Sequence, residues 1–302
     1  MFEAHRLGAS LYVPAVHPKL ECALLGRAYP GVRSLIACTE DSIAEHQLET
    51  ALLRISEVLG ELPNRSVGPL RFIRPRNREV LQALLAMPGI ERVHGFVLPK
   101  ADHHSLPGYL RVLGMRDFAL MPTLETAATF ELSAMRALRK MLLAPASKAR
   151  CLALRIGGND LLALLGMRRP RNVSIYQTPI GALIPQLVMC FKPHGFQLTG
   201  PVFDYLEGFD TLLAEAQQDR CMGLVGKTAI HPSQVSAIES VFQVCDREMA
   251  AAQALLGHAS SAVLKFDGAM LEHAVHSDWA RGVLRRGRTD NDPAPVAQSG
   301  NL

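Results

Sequence analysis

Eight apolar runs along the chain give out into polar tips: SLYVPAV (10–16), SLIACTED (34–41), LRFIRPRN (70–77), GFVLPKA (95–101), FALMPTLET (118–126), CLALRIGGND (151–160), QLTGPVFD (197–204) and GLVGKTAIHP (223–232). Runs that start continuously apolar and end polar fit parallel strands buried on both faces, with their C-terminal tips in solvent. Their starts recur at roughly the 30-residue interval that a strand, a helix and two loops occupy. The pattern therefore predicts an α/β fold, a TIM (β/α)8 barrel with its chemistry at one rim.

Helical periodicity fills the gaps. With Asp41 and Ser42 as cap candidates, Ile43, Leu48, Leu52, Ile55 and Leu59 form one stripe, and Gly60 is expected to stop it. A second stripe follows Ser233 through Val235, Ile238, Val241, Cys245 and Met249. The long connection 161–196 reads as an irregular excursion over the rim. Past residue 256 the pattern changes, and the chain divides into a barrel (1–256), a C-terminal hairpin-and-helix appendage expected to pack on a neighbouring subunit (257–285), and a flexible tail rich in Pro, Asp, Asn and Ser (286–302).

Composition narrows the class. With 302 residues, 48% of them hydrophobic, the chain can bury one large core. A formal charge of +4, from 32 basic against 28 acidic residues without a basic block, is a hint of anionic ligands and not the mark of a nucleic-acid protein. The six cysteines contain no CxxC pair, as expected in a reducing, cytoplasmic setting. No run approaches the roughly 18 to 20 apolar residues that a membrane span requires.

The candidate chemistry lies at the tips. Glu125 and Asp160 end consecutive strands, and two carboxylates suit Mg²⁺, which keeps several waters and takes further ligands from substrate. Each acid has an alternative role as a helix cap. Arg74 and Arg76 end the third strand in IRPRN, where a guanidinium can grip a carboxylate or an enolate, or pair with Glu40 or Asp41. Lys100 is the lysine placed for a Schiff base, although Asp102, His103 and His104 follow it and favour a carboxylate-paired ammonium. Gly157 and Gly158 let the backbone approach a ligand or cofactor ahead of Asp160, or else form a turn. His231 in AIHPSQ reads as a residue that orients its loop.

The ordered series SLYVPA, TEDSI, RPRN, GFVLPK, MPTLET, GGNDL, GPVFD, GLVGKTAIHPSQV and DGAMLE resembles the citrate lyase β-subunit-like family of the HpcH/HpaI aldolase superfamily, over residues 10–284. The resemblance implies a TIM barrel with Mg²⁺ held by Glu125 and Asp160, and a substrate oxygen held by Arg74. It also implies a carbon–carbon bond cleaved beside a carbonyl, commonly in a β-hydroxyacyl thioester of coenzyme A or an acyl carrier. A homo-oligomer, trimer or hexamer, follows from its acid in the DG-x-M-I-D motif, which a neighbouring subunit delivers and which is Glu272 here. Cys38-Thr39-Glu40-Asp41 stands where the family reads DLED, Ala9 replaces an Arg and Ala269 a Lys, so the chain reads as a divergent branch. Two alternatives stay open: a pyruvate-type class II aldolase on free keto acids, and a non-catalytic barrel that binds an acyl carrier.

Overall fold

The computed structural model describes residues 2–257 and 262–291. All eight expected strands form: β1 (Gly8–Pro14), β2 (Ser34–Cys38), β3 (Leu70–Arg74), β4 (Gly95–Leu98), β5 (Ala119–Leu124), β6 (Leu154–Ile156), β7 (Leu198–Thr199) and β8 (Gly226–Ala229). Neighbours pair in parallel from β8 through β1 to β7, and a bridge between Gly200 and Lys227 joins β7 to β8, so the sheet curls into a TIM barrel. The register sets Pro14 beside Cys38 and Cys38 beside Arg74, which lines up the C-terminal tips. β6 and β7 are short because Gly157 and Gly158 turn the chain away, and Pro201 has no N–H to give the ladder.

One core cluster joins Ile36, Phe72, Val97 and Met121 from the strands to Ala4 and Leu7 from the turn Ala4–Leu7. Between strands, helices such as Leu48–Glu61 and Arg78–Leu85 bury one face; Asn77 Oδ1 caps the latter by accepting from Val80 N at 2.9 Å. Among the described residues no helix is long and apolar enough to cross a membrane.

Several local expectations change. Asp41 and Ser42 cap nothing: a 3₁₀ turn Glu45–Gln47 precedes the helix Leu48–Glu61, which runs through Gly60. The stripe after Ser233 splits into Ser233–Phe242 and Asp246–Gly257. The excursion is irregular mainly over 165–179, which holds a 3₁₀ turn at Ile175–Gln177, since TPIGALIP enters a helix, Ile180–Phe191.

The chain forms two compact units that divide between Val241 and Phe242, nearer the N-terminus than the 256/257 division read from composition. In the second, helix Asp246–Gly257 and helix His273–Asn291 bury Ala252, Leu255, Ala280 and Val283 together. The hairpin β9 (Val263–Phe266) and β10 (Ala269–Glu272) turns at Asp267 and Gly268, both at positive φ, as a two-residue hairpin requires. The last helix runs to Asn291, into the stretch expected as tail; 292–302 lie outside the described residues.

At the barrel's other end, Arg71 N donates to His94 Nδ1 at 2.9 Å, and His94 Nε2 lies 2.9 Å from Arg65 O, which fixes a neutral ring protonated on Nε2. Burial, with the Arg71 charge behind it, pushes His94 down to about 4. An unfolded histidine titrates near 6.5, so its contribution, about 3 kcal/mol at most, is complete above pH 6.5 and is lost as pH falls to about 4. Urea unfolding measured across that window is expected to show wild type losing stability relative to His94→Gln with a slope of about one proton, whatever Glu125 and Asp219, which are common to both, contribute. An unchanged slope in the variant would assign the acid lability to other groups.

Candidate active site at the strand tips

Arg74, the last residue of β3, is followed by Pro75, which keeps the chain extended and directs the guanidinium over the barrel mouth. Its Nη2 donates to Glu125 Oε1 at 2.9 Å and Asp41 Oδ2 at 3.3 Å, and pairs with Glu40 Oε2. Lys100 sits at φ 49°, and this left-handed turn aims its backbone N–H at Glu125 Oε1, 2.8 Å away. Its ammonium reaches Glu40 Oε1 at 2.9 Å and stands 3.5 Å from Asp160 Oδ1. Six charged groups from five strand tips therefore form one array.

Glu125 is 3% exposed. Burial pushes its carboxyl up to about 7; Arg74 opposes the rise and the Asp160 charge adds to it. Burial likewise raises Glu40, against Arg74 and Lys100. Burial alone would lower Lys100, but Glu40, Asp41 and Asp160 outweigh it and hold the ammonium above its usual range. An ammonium held so firmly in its charged form is no Schiff-base nucleophile.

Glu125 and Asp160 line one cavity of about 470 Å³ together with Arg74, Gly157 and Gly158. Neither acid is spent on capping. Thr126 precedes the 3₁₀ turn Ala127–Phe130, and Asp160 lies inside the first turn of helix Gly158–Leu164, near its positive end. Gly157 is required by Glu125: a Cβ there would stand 2.4 Å from Glu125 Oε2. Gly158 makes room in the same way for Pro201, at 2.9 Å. Gly157 thus packs around the acid, and Gly158 packs against Pro201.

Arg76 is absorbed by the loop beneath it, donating to the carbonyls of Thr39, Glu40 and Ile43. His231 Nδ1 bonds the Ser233 hydroxyl at 2.7 Å and orients its loop. Glu272 ends β10 in the second unit. Sequence reasoning passed over Arg155, Tyr12 and Thr228, which also line the cavity. A cation inside the apolar run CLALRI was the available signal.

Among the described residues no three His, Cys, Asp or Glu side chains form a self-sufficient metal cage. The donor set nevertheless fits a hard divalent ion that keeps its own waters. Four carboxylates (Glu40, Asp41, Glu125 and Asp160) face two cations (Arg74 and Lys100), so acids outnumber bases at a partly desolvated rim.

The family model for C–C bond lyases of the TIM-barrel fold matches residues 1–290. A (3S)-malyl-CoA thioesterase of Cereibacter sphaeroides is 29% identical over 205 residues, 64% of this chain and 68% of that protein. Among solved structures, a citrate lyase from Burkholderia xenovorans LB400 superposes with TM-score 0.72 at 18% identity, covering 97% of this chain and 94% of that one. CitE from Mycobacterium tuberculosis, in complex with magnesium, acetoacetate and coenzyme A, gives 0.69 at 19% identity, covering 94% and 99%.

Proposed function

The chain belongs to the C–C bond lyases of the TIM-barrel fold, and from that premise we propose that it is a Mg²⁺-dependent retro-aldol or retro-Claisen lyase acting on a β-hydroxyacyl thioester or a related 2-keto or 2-hydroxy acid. The observation that carries the reading is the excess of carboxylates over cations in the array of Glu40, Asp41, Arg74, Lys100, Glu125 and Asp160, beside a cavity that Glu125 and Asp160 both line. Glu125 and Asp160 would hold the ion, which supplies Lewis-acid polarisation of the substrate oxygen next to the breaking bond. Arg74 orients Glu125 and opposes its protonation, and as a cavity-lining donor it can stabilise charge on an enolate oxygen. Lys100 holds Glu40 and fixes the Glu125 carboxylate through its backbone N–H. Glu272 would protonate the enolate carbon, delivered by another copy in a homo-oligomer, trimer or hexamer.

The thioester is supported by a malyl-CoA thioesterase among the relatives and by the acetoacetate and coenzyme A bound to CitE. In an assay of malyl-CoA beside a free pyruvate aldol, cleavage is expected to need Mg²⁺ and to stop with EDTA. Mixing Glu125→Ala with Glu272→Gln is expected to restore part of the activity through shared sites. Turnover of the free aldol alone would move the assignment to a class II aldolase; no Mg²⁺-dependent cleavage of either would leave an acyl-carrier-binding barrel.

A further inference from the structure

Arg155 lies in β6 with 1% of its surface exposed, yet it lines the cavity. Its Nη2 donates to Thr228 Oγ1 at 2.6 Å and its Nη1 to Ser10 Oγ at 3.2 Å, while the guanidinium carbon sits 5.4 Å from the centre of the Tyr12 ring. Hydroxyls and a ring face fix its orientation without cancelling its charge. The other buried arginines differ. Arg74 meets three carboxylates, Arg169 grips Glu215 with both carboxylate oxygens, and Arg71 donates to the carbonyls of Pro63, Asn64, Val67 and Arg92. Among the described residues no carboxylate comes within ion-pair distance of Arg155.

A buried charge is costly unless an acid or several carbonyl oxygens answer it, as carbonyls do for Arg71; among the described residues Arg155 has neither, and an anionic ligand would complete it. The array at the rim already matches a divalent cation, so Arg155 remains to be matched by a negative charge that enters the cavity. We infer that Arg155 is the specificity-determining residue that binds a carboxylate of the substrate's acid half, while Arg74, whose Nη2 already meets Glu40, Asp41 and Glu125, serves the enolate oxygen. This deepens the lyase reading and rests on it for the identity of the acid as a 2-oxo or 2-hydroxy compound.

The test is calorimetric titration of pyruvate and of its uncharged methyl ester, with Mg²⁺ and with EDTA. Wild type is expected to prefer the acid in both buffers, since Arg155 belongs to the protein, and Arg155→Gln is expected to reduce that preference about 10- to 100-fold. The variant is expected to melt no lower than wild type, because an uncompensated charge is removed; a purely structural arginine would lower the melting temperature. If Arg155→Gln does not fold, Thr228→Val removes the hydroxyl that holds Nη2, and the preference is expected to drop several-fold at unchanged melting temperature. No acid preference in wild type, or one unaltered in the variants, overturns the inference. An acid preference lost in the variants without any Mg²⁺-dependent cleavage upholds the carboxylate site and sinks the lyase reading instead.

Discussion

Glu125→Gln is expected to cut Mg²⁺-dependent cleavage by on the order of 1,000-fold and to abolish thermal stabilisation by Mg²⁺, with the fold intact. Glutamine keeps an oxygen that can accept from Lys100 N and Arg74 Nη2, the two donors to Glu125 Oε1. What is lost is the charge, and with it half of the paired carboxylates. The wild-type acid also sets a pH dependence. Buried beside Asp160, Glu125 is held up to about 7 in the metal-free protein, so below that pH a cation must displace a proton. Apparent Mg²⁺ affinity is expected to fall about tenfold per pH unit below about 7 and to level off above it. Differential scanning fluorimetry against Mg²⁺ at several pH values measures both effects. Stabilisation by Mg²⁺ that survives Glu125→Gln would separate this acid from the ion.

Lys227→Met is expected to destabilise the barrel by about 3–5 kcal/mol, the loss typical when one partner of a buried ion pair is removed. Lys227 is fully buried in β8, and its ammonium meets Glu215 Oε1 at 2.8 Å and Asp219 Oδ2 at 2.7 Å. Arg169 Nη1 reaches Glu215 at 2.8 Å, Ile175 N donates to Glu215 Oε2 at 2.6 Å, and the Tyr176 hydroxyl donates to Asp219 Oδ1 at 2.9 Å. Arg169 Nε also stands 3.6 Å from Asp204 Oδ1, and this network of two cations and three acids holds the 165–179 excursion on the helix Phe209–Cys221. Gly200 leaves the space: a Cβ would stand 2.5 Å from Asp219 Oδ2.

Burial already lifts Asp219 to about 6 against the pull of Lys227. Without the lysine it rises further above its unfolded value near 3.9. The folded variant then binds the proton more tightly than the unfolded chain, and its stability falls as pH rises through the new value. Chemical denaturation of Lys227→Met is therefore expected to show a smaller deficit at pH 5.5 than at pH 8, and Asp219→Asn added to it to recover part of the loss. Equal deficits at both pH values would deny Asp219 that part.

The barrel was legible because each of its eight strands is apolar until its tip, and Glu125, Asp160 and Arg74 were legible because they stand where those runs end. The boundaries were less so. β6 stops at Ile156 because Gly157 must yield room to Glu125, a contact between distant residues that no local pattern encodes. The helix expected from Asp41 begins at Leu48 because Glu40 and Asp41 are drawn to Arg74 and Lys100. Arg155 and Lys227 were hidden for a different reason. Each interrupts a buried strand with a charge, and whether such a charge serves structure or ligand depends on partners from elsewhere in the chain: Glu215 and Asp219 for Lys227, and hydroxyls, a thioether and a ring for Arg155.

The lyase reading depends on the acids at 125 and 160 sharing one ion. A crystal structure of the protein soaked with Mg²⁺ and pyruvate tests this most directly. The account predicts an ion bound by one carboxylate oxygen from each of Glu125 and Asp160, with the ligand's oxygens and water completing the shell and Arg74 still on Glu125. An ion bound elsewhere, or both acids still turned to Arg74 and Lys100 at saturating Mg²⁺, would contradict it.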